Sequence, residues 1–211
     1  MTAQRGRFIT LEGVEGAGKT TALKTVEQCL RAHAPGLRIT REPGGTPLGE
    51  AVRELLLSHS HEGMSASSEV LLMFAARAEH LDKVILPTLE QGDWVLSDRF
   101  TDASYAYQGG GRGLGIDRIA VLEQWLQGDF RPDLTLILDV PVEQGLSRAA
   151  ERADPDRFEA EKGEFFERVR AAYLGLAAQN PQRYRIIDAS QPLDAVRDHI
   201  RECVEQWLNR R

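Results

Sequence analysis

At 211 residues and a formal net charge of −6, the chain is long enough to bury a sizeable core as one domain. Its acidic balance argues against a general nucleic-acid binder, so the basic residues that matter must be gathered locally, where anionic ligands sit. No apolar stretch behind Met1–Arg7 is long enough for a signal peptide, and the longest apolar run, Val70 to Ala76, stops at Arg77, far short of a membrane span.

The first predicted strand is Phe8–Leu11. It runs into Gly13-Val14-Glu15-Gly16-Ala17-Gly18-Lys19-Thr20, a complete G-x-x-x-x-G-K-[ST] phosphate-binding loop. Leu23, Val26 and Leu30 then recur at helical spacing, so the motif sits in the strand–loop–helix context that gives it meaning. Gly13, Gly16 and Gly18 free the backbone to approach a phosphate closely. Consecutive N–H groups then form an anion-binding nest at a helix N-terminus. Lys19 adds a point charge for the outer phosphates, and Thr20 offers a hydroxyl to Mg²⁺, which prefers oxygen ligands. The plain alternative is a glycine-rich turn with a solvated lysine.

The second strand, Leu37–Thr40, ends in Arg41-Glu42-Pro43-Gly44-Gly45-Thr46. Pro43 and the glycines make a tight turn, and the Glu42–Pro43 bond is expected to be cis. Arg41 leaves the strand at its ligand end, unless it is spent on a surface pair with Glu42. Leu48, Val52 and Leu55–Leu56 predict a short helix carrying Arg53 on its more polar side. Ser68 to about Glu90 reads as one long helix with a stripe of Val70, Phe74, Ala78, Leu81, Ile85 and Leu89. Its apolar surface is wide enough to predict deep burial or a homodimer interface. Arg77 within that run needs a partner or a ligand. Pro87 should kink the last turn.

The third strand, Trp94–Ser97, is followed by Asp98-Arg99-Phe100. An acidic residue at the end of a strand beside the phosphate loop is where a second-shell magnesium ligand belongs, and Arg99 can bridge two phosphates bidentately. Alternatively the two form a structural pair. Ser104 and Gln108, four apart, share a face, and an amide with both donor and acceptor suits a nucleobase edge. The following Gly109-Gly110-Gly111 is equally readable as a surface loop. After the fourth strand, Leu134–Val140, and a helix, residues 148–159 carry arginines without an apolar pattern and read as a mobile lid. Arg148 and Arg152, spaced i, i+4, can point at one anion; the alternative is a solvated helix end. Tyr184–Ile187 is the fifth strand. Phe165, Val169 and Tyr173 form one helical stripe; Leu193, Val196, Ile200, Val204 and Trp207 form another. Cys29 and Cys203 read as buried thiols in a reducing compartment, and His59 and His61 as solvated imidazoles in a polar loop.

The strand–helix alternation predicts a three-layer α/β/α P-loop NTPase fold with a five-stranded parallel sheet and a lid. Ligands of such sheets bind beyond the carboxyl ends of the strands, here the loops after residues 11, 40, 97 and 140.

Taken together, Gly13–Thr20 with its acidic Glu15, Arg41–Thr46, Asp98-Arg99-Phe100, Tyr107–Gly111 and Asp156-Arg157-Phe158-Glu159 resemble the bacterial thymidylate kinases, in order and over nearly the whole chain. The phosphate loop alone would indicate only a P-loop protein; the later blocks carry the family. The resemblance implies phosphoryl transfer from ATP–Mg²⁺ to dTMP, giving dTDP and ADP, in a cytoplasmic homodimer that supplies DNA precursors. It implies that Arg77, Ser104 and Gln108 read the thymine. Tyr107 would lie beneath the sugar, Glu15 near its 3′-hydroxyl and the metal. Arg41, Arg53 and Arg99 would surround the monophosphate, and Arg148 and Arg152 would serve as catalytic lid arginines. Where the family usually stacks an aromatic ring on thymine, this chain has Met73, with Phe74 one later; either side chain could meet the base. Ala150 and Glu151 occupy a lid stretch often richer in arginine. Of the rivals, a GTPase lacks support because no Asn-Lys-x-Asp occurs; a related nucleotide kinase is separated only by the base contacts, and an intact Lys19, Thr20, Asp98 and arginine-rich lid count against a catalytically silent binding module.

Overall fold

A computed structural model describes residues 5–58, 63–151, 157–158 and 161–210. Five strands form one sheet: β1 (Phe8–Gly13), β2 (Arg38–Arg41), β3 (Val95–Asp98), β4 (Leu134–Asp139) and β5 (Tyr184–Asp188). All pairs are parallel, as the alternation predicts, and the order is β2-β3-β1-β4-β5. Central β1 is buried at every position, whereas edge strand β2 is not buried at any. That difference follows from helices covering both faces of a parallel sheet: its inner strands are shielded on both sides and its edge strand is not.

The helices are α1 (Lys19–Arg31), α2 (Pro47–Leu57), α3 (Ala66–His80), α4 (Leu86–Glu90), α5 (Thr101–Ser104), α6 (Ile116–Gln127), α7 (Val142–Ala150), α8 (Gly163–Gln179) and α9 (Leu193–Leu208). The main core gathers Ile9 and Leu11 of β1, Leu136 of β4, Val26 of α1 and Ile200 of α9. Cys203 is buried there and Cys29 only half-buried beside it; both are free thiols.

Two helical stretches contain a π-helical turn. The long helix predicted to Glu90 is interrupted by a π-helical turn, Leu81–Ile85, immediately before α4. Pro87 supplies the reason: it has no N–H to bond back, and its ring would clash with the preceding turn, so the register shifts one turn ahead of it. The stretch after α5 is no surface loop. Residues Tyr105–Gly111 form a second π-helical turn, buried against α8. The glycines permit that closeness: a Cβ on Gly111 would stand 2.5 Å from the Phe165 ring.

The parallel register places the carboxyl ends of β1, β2 and β3 side by side, with Leu11 and Arg41 both opposite Asp98. Every element that leaves the sheet there enters one cavity.

Candidate active site

The cavity, about 480 Å³, opens between the phosphate loop, the β2 and β3 termini, α3 and the π-helical turn after α5. Among the described residues, five cationic side chains line it, Lys19, Arg41, Arg53, Arg77 and Arg99, against three carboxylates, Glu15, Glu42 and Asp98. The local excess of positive charge runs against the chain's net −6, as expected of a site for polyanions.

Its floor is the phosphate loop. Gly16 has φ +70°, and a Cβ there would lie 1.8 Å from the Gly145 carbonyl oxygen, so only glycine is accommodated. Gly18 begins α1 without any side-chain cap, and no acidic residue occupies the first turn. The first N–H groups of α1 are therefore left for an anion. Lys19 Nζ donates to the Gly13 and Val14 carbonyls at 3.2 Å each, holding the loop closed over its own ammonium. Burial, helped by the Arg99 charge, pushes that ammonium below its ordinary pKa.

Arg99 follows β3 in a left-handed conformation, φ +71°, unusual for a side chain with a Cβ. Three hydrogen bonds hold the turn. Ser97 Oγ donates to the Arg99 carbonyl at 2.7 Å, Arg99 N–H to Leu11 O at 2.9 Å, and Phe100 N–H to Glu12 Oε1 at 2.7 Å. The result aims Arg99 at the loop. Its Nη1 donates to Gly13 O at 3.1 Å, its Nη2 to Glu15 Oε1 at 2.5 Å, and the guanidinium lies 4.7 Å above the Tyr107 ring. Burial opposes this charge, but Tyr107, Glu15, Tyr173 and Asp98 outweigh it and raise the Arg99 pKa well above its ordinary value. Behind it, Tyr173 OH donates to Glu12 Oε2 at 2.8 Å. Glu12 is fully buried, and burial followed by the Asp102 charge pushes its carboxyl up to about 8.

The opposite wall is built around Arg77. Its Nε donates to Glu42 Oε2 at 2.8 Å; its Nη2 donates to Phe100 O at 3.2 Å and Ser104 Oγ at 3.1 Å. His80, one helical turn on, pairs with the other Glu42 oxygen at 2.9 Å. Phe74 packs under the guanidinium, 4.6 Å away, and lies in an apolar cluster rather than on the cavity wall; Met73 is the residue that lines the cavity. Among the described residues, buried Arg77 Nη1 has no hydrogen-bond partner. A buried guanidinium with one satisfied edge and one open N–H, at a cavity wall, is built to meet an acceptor on a ligand. Gln108 lines the same wall, with its amide nitrogen donating to Glu69 Oε1 at 2.8 Å.

Most of the expected site residues thus converge: Glu15, Gly16, Gly18, Lys19, Thr20, Arg41, Arg53, Met73, Arg77, Asp98, Arg99, Ser104, Tyr107 and Gln108 all border the cavity. Gly13, Val14 and Ala17 shape the loop beneath it. The Glu42–Pro43 bond is cis. Arg41 pairs with Glu50 at 2.7 Å, not with Glu42, which Arg77 and His80 hold. Arg53 Nη1 donates to Pro43 O at 3.1 Å. Arg148 belongs to α7 and donates to the Ala189 carbonyl at 2.9 Å; it does not line the cavity. Arg152, Asp156, Glu159, His59 and His61 lie outside the described residues.

For Mg²⁺, Thr20 is exposed, and Asp98 Oδ1 is buried beside the cavity without a hydrogen-bond partner among the described residues. An orphaned carboxylate oxygen and one hydroxyl fit an ion that takes most of its ligands from water and phosphate. Among the described residues no three His, Cys, Asp or Glu side chains cluster as a metal centre, and no helix is long and apolar enough to cross a membrane.

Sequence reasoning missed Glu12, Tyr173, Glu42 and His80 as supports. Glu12 carried a signal, being the one acidic residue in an otherwise uncharged strand before Gly13. His80 lies three residues beyond Arg77 on the same helical face. Tyr173 carried none.

The thymidylate kinase family profile matches residues 11–200. A thymidylate kinase of Alkalilimnicola ehrlichii is 60% identical over 97% of both chains. One of Pseudomonas putida (strain F1) is 62% identical over 97% of this chain and 98% of its own. The crystal structure of thymidylate kinase from Ehrlichia chaffeensis superposes with a TM-score of 0.77 at 33% identity, covering 95% of this chain and 99% of that one.

Proposed function

Because this chain belongs to the thymidylate kinase family, we propose that the cavity is where it transfers the γ-phosphoryl group of ATP to dTMP, giving dTDP and ADP. The observation that carries the site assignment is the open edge of Arg77: a buried, partnerless Nη1 on the wall opposite the phosphate loop, within one cavity. ATP phosphates occupy the Gly13–Thr20 nest. The monophosphate lies among Arg41, Arg53 and Arg99, and the thymine lies against Met73, Arg77, Ser104 and Gln108. Tyr107, whose hydroxyl donates to Glu15 at 3.1 Å, packs under the sugar, and Glu15 faces the sugar hydroxyl.

The acceptor is a phosphate oxygen. A phosphate monoester has a second pKa of about 6 and is mostly dianionic at neutral pH, so no general base is needed. The obstacle is the approach of two anions. Lys19 and Arg99 offset that repulsion and stabilise the charge that spreads over the transferring group. Arg99 is suited to this because its φ +71° turn and its contacts fix the guanidinium before substrate arrives. Mg²⁺, held through Thr20 and Asp98, would add charge neutralisation and in-line orientation of the phosphates. Arg148 and Arg152 complete the arrangement as lid arginines, Arg148 exchanging the Ala189 carbonyl for phosphate.

The chain acts as one domain and as a cytoplasmic homodimer in this reading. Supporting the dimer, α3 and α6 pack on one another through Val70, Phe74 and Ile119 and leave Leu71, Val121 and Trp125 exposed.

The test is direct. ³¹P NMR of dTMP with ATP and Mg²⁺ should show dTDP and ADP forming together. Arg148→Ala and Arg152→Ala should each lower kcat by far more than they raise the KM for dTMP; unchanged kcat in both would remove the lid from the mechanism.

A further inference from the structure

Glu69 is fully buried in the first turn of α3, and nothing in the mechanism uses it. Its carboxylate collects four contacts. Oε1 accepts from Gln108 Nε2 at 2.8 Å and from Arg112 Nε at 3.2 Å. Oε2 accepts from Arg157 Nη2 at 2.6 Å and lies 3.1 Å from Arg112 Nη2. Arg112 also bonds Glu161, and Arg157 Nε also donates to Leu56 O at 2.9 Å. The carboxylate is thus clamped from two sides by guanidiniums that are themselves anchored.

A carboxylate only accepts hydrogen bonds, so it sorts the two ends of a neighbouring amide. Facing Glu69, Gln108 must turn its NH₂ inward. The carbonyl oxygen is then the end left for whatever occupies the cavity that Gln108 lines. That oxygen rewards a ligand edge bearing N–H and repels one bearing a lone pair. A pyrimidine with a protonated N3, as in thymine, presents the first; cytosine presents the second.

We propose that Glu69 is a specificity-determining positioning residue: it sets the Gln108 amide so that the site accepts a 4-oxo pyrimidine monophosphate and rejects a 4-amino one. The inference rests on the reading that Gln108 meets the base. In Glu69→Gln the new side chain offers both a donor and an acceptor, so the Gln108 amide is free to flip and present its NH₂ to cytosine N3.

The experiment measures kcat/KM for dTMP and dCMP in wild type, Glu69→Gln, Arg112→Met and Gln108→Leu. Glu69→Gln should lower the dTMP/dCMP ratio about tenfold or more, through KM, with kcat for dTMP within threefold. Arg112→Met disturbs the same cluster but leaves the Glu69–Gln108 bond, and should keep the wild-type ratio. Gln108→Leu should lower the ratio as Glu69→Gln does. If Gln108→Leu lowers it and Glu69→Gln does not, the role of Glu69 is overturned while that of Gln108 stands. If Gln108→Leu leaves the ratio intact, Gln108 does not meet the base and the inference falls with it. An equal loss in Arg112→Met would reduce the effect to loosened packing and also overturn it. Should Glu69→Gln fail to fold, wild-type enzyme answers by NMR: the Gln108 side-chain amide protons should be protected from exchange without ligand, and rapid exchange would refute the bond.

Discussion

Replacing Arg77 with lysine separates what the residue does for the fold from what it does for a ligand. Lysine keeps the charge and can keep the pair with Glu42, the 2.8 Å contact of Nε. Its single ammonium cannot also span Phe100 O and Ser104 Oγ, which Nη2 reaches at 3.2 and 3.1 Å. Leaving those buried acceptors short should cost about 1–3 kcal/mol of stability, or roughly 2–12 °C in Tm for a chain of this length. The open Nη1 is lost as well. A hydrogen bond from a charged donor is worth about 1.5–3 kcal/mol, so the KM for dTMP should rise about 10- to 100-fold. Because Arg77 sits on α3, away from Lys19 and Arg99, it binds ground state and transition state alike, and kcat should change by less than about threefold. Thermal denaturation and a coupled ADP-release assay on Arg77→Lys read both effects. A lowered Tm with KM within threefold of wild type would show that Nη1 faces no substrate. A collapse of kcat at unchanged KM would place Arg77 at the transferring phosphate and refute the division of the site.

Three further outcomes are expected. Gly16→Ala, forced to φ +70° with its Cβ 1.8 Å from Gly145 O, should lose at least tenfold in kcat/KM for ATP, whereas Gly175→Ala, whose Cβ meets nothing within 4 Å, should be silent. Burial raises the Glu12 carboxyl from 4.5 to about 8, so folding takes up a proton between those pH values. Its contribution to stability is present below pH 4.5 and lost as pH rises through 8, a change of about 4 kcal/mol between those pH values. Urea denaturation of Glu12→Gln at pH 5 and pH 8 should show that much less pH dependence than wild type, and equal slopes would contradict it. Trp125, 81% exposed on α6, should support the proposed dimer: Trp125→Glu is expected to sediment as a monomer where wild type sediments as a dimer, and an unchanged sedimentation coefficient would move the interface elsewhere.

What the sequence made legible, and what it hid, divides by range. The Gly13–Thr20 loop, the five strands and the placing of Arg77 on a buried helical face are local patterns, in which period and spacing report directly on geometry. Contacts across the fold leave no such trace. Tyr173 and Glu12 are 161 residues apart in sequence, and nothing in the Phe165–Val169–Tyr173 stripe distinguishes a hydroxyl aimed at a buried carboxylate from one aimed at solvent. Glu42 was readable only as a neighbour for Arg41, because adjacency is what a sequence displays; in the fold it faces inward to Arg77 and His80 instead. The Gly109–Gly111 run left two readings open for a physical reason. Glycine serves loops through conformational freedom and helix packing through its lack of a side chain, and composition alone does not separate the two. Arg148 shows the remaining gap: its i, i+4 spacing with Arg152 said that both could face one anion, not that Ala189 would hold one of them.

The central claim is that one cavity joins ATP to dTMP. It is tested most directly by a coupled ADP-release assay with ATP and Mg²⁺, offering dTMP, dUMP, UMP, dCMP, dGMP and dAMP in turn. The highest kcat/KM is expected for dTMP, with the cytosine and purine monophosphates strongly disfavoured. A higher kcat/KM for another monophosphate, or no turnover of any, would contradict it.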